Sequence, residues 1–165
     1  MKILKIQALR GPNIWSVQRK KLIQMRLDLE EMEQFPTNKI EGFRERIEAM
    51  FPTMIEHRCS EGCRGGFFSR VERGTWMGHV IEHIALEIQT LAGMETGFGR
   101  TRETKTPGVY NVVFSYTEEN VGLFAAESAV AIAESLIAGT EYDVEADIQK
   151  MREIRERVRL GQIGR

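Results

Sequence analysis

Between Gly74 and Glu87 the chain reads Gly-Thr-Trp-Met-Gly-His-Val-Ile-Glu-His-Ile-Ala-Leu-Glu, and two of its three histidines fall in this stretch. On a helix, residues three and four apart share a face. His79, Glu82 and His83 therefore project together. Two imidazoles one turn apart can grip one metal ion, with a carboxylate beside them placed to move protons. The rest of the chain must supply a third ligand and something for the site to act on.

Composition narrows what surrounds this helix. At 165 residues the chain is long enough for one domain with a real core. Apolar content of 42% and charged content of 28% are ordinary for a globular protein. A net charge of -1 gives no global field toward nucleic acid or an anionic membrane. No run is expected to approach the roughly 18 to 20 apolar residues of a membrane span. The opening Met1-Lys2-Ile3-Leu4-Lys5-Ile6 alternates like a strand and lacks the apolar block of a signal peptide. Cys59 and Cys63 are the only cysteines, so no disulfide scaffold is indicated, and a cytoplasmic setting is expected.

Residues 2–10 and 20–30 read as strands, the second through the alternation of Met25, Leu27 and Leu29 with Arg26, Asp28 and Glu30. Phe43, Ile47 and Met50 form one stripe, which predicts a helix over 41–50 that stops before Pro52, with Asn38 as a cap. Residues 56–66 have no period and read as a polar loop holding His57 and both cysteines. Phe67 to Glu72 reads as a short strand or bend. The histidine helix should run over 75–91, with Thr75 as its cap and Gly93 as its stop. Residues 97–108 read as a second irregular polar stretch, and Tyr110 to Tyr116 as a strand. Helices over 118–138, ended by Gly139, and 144–160 complete the chain. Without regular βαβ alternation the fold class is α+β: a single domain with a mixed or antiparallel sheet and packed helices.

His-x-x-Glu-His is the inverted form of the zinc-peptidase helix motif, with Glu82 as general base and His79 and His83 as ligands. Cys59 is the leading third ligand, because thiolate binds zinc well. Glu127 is the alternative, since other peptidases with this inverted motif take a glutamate from a later helix. Glu87 continues the histidine face but lies two turns on, which suits a supporting contact rather than ligation. His57 is a further supporting candidate, and Cys59, Cys63 and His57 could instead form a small separate knot.

The chain also resembles the amino-terminal domain of cyanophycin synthetases over nearly its whole length. The resemblance is carried by Leu9-Arg10-Gly11-Pro12-Asn13 with Trp15, by residues 25–30, and by Glu56-His57-Arg58-Cys59-Ser60. Arg64-Gly65-Gly66-Phe67, residues 74–83, Gly97-Phe98-Gly99-Arg100-Thr101-Arg102-Glu103-Thr104 and Pro107-Gly108-Val109-Tyr110 complete it. It implies a cytoplasmic multidomain ligase that builds poly-aspartate and joins arginine to each β-carboxyl. The ATP- and Mg-dependent sites would lie in downstream ATP-grasp and Mur-ligase-like domains, outside residues 1–165. The amino-terminal domain would bind the polymer, and in some members would act as a zinc metallopeptidase trimming it into primers. A non-catalytic tether or a purely bracing domain are the alternatives.

Cyanophycin presents guanidinium groups, main-chain amides and a free α-carboxylate on each arginine. Arg100 and Arg102 would pair with carboxylates and Glu103 with guanidinium, or the three would pin their own loop. Arg64 and Arg70 are further candidates for carboxylates. Trp76 would either stack on guanidinium or sit in the core. Polymer and the downstream domains are the expected partners, with no nucleic acid and no membrane.

Overall fold

Alternation in two central strands sets the architecture. The computed structural model describes residues 1–15 and 20–162. Strands β1 (Lys2–Leu9), β2 (Leu22–Asp28), β3 (Gly99–Glu103) and β4 (Val109–Ser115) form one sheet in the order β1-β2-β4-β3, antiparallel throughout. Ile23, Met25 and Leu27 of β2, with Val112 and Phe114 of β4, point to one face and are wholly buried. The opposite face is more polar. There Gln7 donates to Gln24 at 2.9 Å, and Gln24 to Asn111 at 3.0 Å. A small satellite of Trp15, Leu22 and Val113 covers the rest of that side. A sheet with one apolar face needs one layer of helices.

That layer is built from α3 (Met77–Leu91), over β3 and β4, and α4 (Glu119–Ala138), over β1 and β2, packed on each other. Helices α1 (Phe43–Met50), α2 (Gly66–Arg73) and α5 (Val144–Arg159) close the core from outside. The fold is α+β, and its sheet is the antiparallel alternative. Helix α4 is long and apolar enough to cross a membrane by length and composition, contrary to the sequence expectation. It is the core helix, with 61% of its most apolar window buried against the sheet and neighbouring helices.

Four local expectations are corrected. Phe67 to Glu72 lies within helix α2, not in a strand or bend. Phe67 and Val71, four apart, share its buried face, but eight residues between glycines are too few to display a period. The irregular stretch 97–108 contains edge strand β3. Its Gly-Arg-Thr-Arg-Glu has no apolar pattern, and pairing with β4 supplies the order. Asn38 does not cap α1; its amide donates to the carbonyl of Arg73 at 3.0 Å. Thr75 does not cap α3, whose N-cap position is Trp76, because its hydroxyl is engaged by His79.

Candidate metal centre

Helix α3 is buried on nearly every side, and most of its polar residues are buried with it. Glu82, His83 and Glu87 are 5%, 6% and 2% exposed. Buried ionisable groups need partners, and each of these has one. Close approach of α3 to the sheet is set by Gly78: a β-carbon there would press on Thr101 at 3.2 Å and Tyr110 at 3.4 Å.

Three donor side chains meet at the start of this helix. Cys59 Sγ lies 3.1 Å from His79 Nε2, and the ligand atoms of Cys59, His79 and His83 all lie within 4.8 Å of one another. Cys59 comes from a 3-10 turn, Cys59–Glu61, with φ of 54°. That left-handed conformation is uncommon for a residue with a side chain, and such strain concentrates at functional sites.

The remaining imidazole nitrogens are engaged as well. His79 Nδ1 sits 3.0 Å from the hydroxyl of Thr75. His83 Nδ1 sits 2.9 Å from His57 Nδ1, and His57 Nε2 sits 2.8 Å from a Glu87 carboxylate oxygen. The other Glu87 oxygen accepts from the hydroxyl of Thr53. An ionised Glu87 can only accept, so His57 carries its hydrogen on Nε2. When neutral, His57 then accepts at Nδ1 from His83. This leaves Nε2 of His83 as its ligating atom, and Nε2 of His79 already faces Cys59. The Phe67 ring packs against His83 with centroids 4.4 Å apart.

This donor set fits zinc. One thiol and two imidazoles are its preferred ligands, three protein ligands leave one position open, and each ligating ring is held through its second nitrogen. Electrostatics agree. Burial, reinforced by the charge of Arg70, lowers His79 to about 4. Burial and the neighbouring His79 and His57 hold His83 well below the usual histidine range. Both rings are thus neutral at pH 7, the form that ligates metal. Burial opposes ionisation of Glu87, but hydrogen bonds from His57 and Thr53 outweigh it and keep its carboxyl below the ordinary value.

Glu82 is held on the strand side of the cluster. Thr101 donates to its Oε2 at 2.6 Å and to the carbonyl of Gly78 at 3.2 Å. Gly99 lies against the same carboxylate, so closely that any β-carbon there would overlap it. Burial raises Glu82 to about 7, against the opposing effects of the Thr101 hydrogen bond and the Arg100 charge. Cys59, His79, Glu82 and His83 share a cleft of ≈ 810 Å³ with Arg58, Arg70 and Arg100.

The other expected site residues scatter. Glu127, the alternative third ligand, is exposed on α4 and outside the cluster. Cys63 is exposed and joins no group of metal-binding side chains among the described residues. His57 and Glu87 fall in the supporting layer. Arg100 lines the cleft, whereas Arg102, paired with Asn111 in the ladder, is not among its lining residues. Glu103 accepts from the backbone N–H of Gly108 at 3.0 Å and pins the β3–β4 turn. Arg64 is tied to Glu56 at 2.7 Å. Trp76, 40% exposed, lines the cleft and donates through Nε1 to the carbonyl of Glu33. Sequence reasoning missed Thr53, Thr101 and Arg58. Only Thr75, four residues before His79, left a readable signal for its contact, and it reads equally well as a cap.

Comparison with known proteins agrees with the ordered motifs. Residues 24–138 match the family model described as the cyanophycin synthase-like N-terminal domain. The chain is 51% identical over 164 residues to the cyanophycin synthetase of Synechocystis sp., and 52% identical over 164 residues to that of Geminocystis herdmanii. In both cases the match covers 98% of this chain and 19% of the relative. The chain thus spans about a fifth of the length of these relatives. By family model and by identity alike, it belongs to the cyanophycin synthase-like N-terminal domain family.

Proposed function

We propose that this domain is a zinc-dependent hydrolase of cyanophycin, cutting multi-L-arginyl-poly-L-aspartate into short primers. The ATP-dependent ligase chemistry would belong to ATP-grasp and Mur-ligase-like domains of the parent synthetase. One observation carries the reading: the donor atoms of Cys59, His79 and His83 converge within 4.8 Å in an open cleft that also holds Glu82. A zinc ion on these three residues would supply Lewis acidity toward a main-chain amide carbonyl.

The chain's own residues do the rest. Glu82, with its carboxyl near 7, is matched to accept a proton from water and return it to the leaving nitrogen near neutral pH. Thr101 fixes one carboxylate oxygen through its hydroxyl, leaving the other for proton transfer. His57 and Glu87 hold His83 in one orientation.

A non-catalytic, polymer-holding domain is the second reading, and the exposed Trp76 in the cleft wall favours it. Metal analysis and polymer digestion separate the two. The hydrolase should purify with stoichiometric zinc and release soluble fragments, and Glu82→Gln should stop release while keeping zinc. Unchanged release by that variant defeats the mechanism. Absence of zinc with retained polymer binding supports the holding role.

A further inference from the structure

Charged side chains around the cleft divide into two groups. On its rim, Arg64 is tied to Glu56 at 2.7 Å, and nearby Arg73 to Glu61 at 2.5 Å. Arg58, Arg70 and Arg100 line the cleft itself and make no ion pair or side-chain hydrogen bond among the described residues. They come from three separate elements: the approach to the Cys59 turn, helix α2 and edge strand β3. Two of them act electrostatically on the centre, since Arg70 disfavours protonation of His79 and Arg100 favours ionisation of Glu82. Guanidinium groups that line a cleft without an ion pair of their own are set to receive carboxylates from a ligand.

We infer that Arg58, Arg70 and Arg100 form a carboxylate-binding rim that selects substrate by the free α-carboxylates of its arginyl side groups rather than by their guanidinium ends. The inference rests on the reading that cyanophycin enters this cleft, and it does not require that the polymer be cut there. Each arginine of the polymer is joined through its α-amine and keeps its α-carboxylate. A chain three units long would therefore bring one anion to each arginine of the rim. Arg102 and Arg64 take no part: neither lines the cleft, and Arg64 is already paired with Glu56.

Two labelled oligomers test it: a short β-aspartyl-arginine chain, and the same chain carrying agmatine, which keeps the guanidinium but lacks the carboxylate. Binding to the full 165-residue chain is followed by fluorescence anisotropy. The arginine oligomer should bind about tenfold tighter or more, the scale of one charge-assisted hydrogen bond. Arg58→Gln, Arg70→Gln and Arg100→Gln should each shrink that preference, and the triple variant should abolish it. Arg73→Gln should leave it intact. Equal binding of the two oligomers, or binding of neither, overturns the inference, as does a preference that survives in the triple variant. Fragment release is scored separately. Preference without release defeats only the hydrolase reading, and release without preference defeats only the rim.

Discussion

The Nδ1 atoms of His57 and His83 lie 2.9 Å apart, two like atoms that can share only one hydrogen. Because Glu87 takes the hydrogen on His57 Nε2, the shared one belongs to His83 when His57 is neutral. A side chain outside the donor cluster thus fixes which nitrogen of His83 is free to ligate. Replacing His57 with Ala, or Glu87 with Gln, should weaken zinc binding by about 10- to 100-fold, the usual effect of losing such a support. Competition with a chromophoric chelator measures it. Unchanged affinity in both variants would mean that the Glu87–His57–His83 chain does not orient the ligand.

Cys59 provides the thiol that distinguishes this centre from an all-nitrogen or carboxylate one. Cobalt-loaded protein should show a thiolate-to-metal charge-transfer band that Cys59→Ser removes and Cys63→Ser keeps, because Cys63 is exposed and outside the cluster. Loss of the band in Cys63→Ser would reassign the ligand.

Glu82 gives the metal-free domain a distinctive pH response. Its carboxyl rises from 4.5 to about 7 on folding, so the folded state holds a proton that the unfolded chain has lost. Its favourable contribution is complete below pH 4.5 and disappears as pH rises through 7, a change on the order of 3 kcal/mol. His79 works in the opposite direction: lowered to about 4 from 6.5, it costs stability as pH falls through that range. Glu82→Gln removes the first effect and keeps the second. Relative to wild type, the variant should therefore gain stability between pH 5 and pH 8. Urea unfolding of metal-free protein at the two pH values checks this, and a constant difference between the proteins would refute it.

Gly99 is a packing requirement of the same carboxylate. Ala at this position would drive a methyl group into the Glu82 side chain and force it from Thr101. We expect a loss of about 1–3 kcal/mol in unfolding free energy, typical of overpacking. Zinc content should be unchanged, since none of Cys59, His79 and His83 is touched. Polymer cleavage should fall with Glu82 misplaced. Thermal melts, metal analysis and digestion together separate these effects.

How much was readable in advance follows from the range of each interaction. The sequence by itself determined helix α3 and the shared face of His79, Glu82 and His83, because a 3.6-residue period is a local property written in consecutive residues. It likewise determined strands β1, β2 and β4, the stop of α4 at Gly139, and Cys59 as the leading candidate for a third ligand by the chemistry of its thiol. Only the tertiary structure decided the rest. Cys59 meets His79 across 20 positions, Thr101 meets Glu82 across 19, and His57 meets His83 across 26. No period links such pairs. They exist because the packed core brings residues 57–59 and β3 against α3, and burial there leaves each polar group only the partner opposite it. The same packing separated arginines that look alike in sequence, pairing Arg64 with Glu56 and leaving Arg58, Arg70 and Arg100 without an ion pair among the described residues, around the cluster of Cys59, His79 and His83.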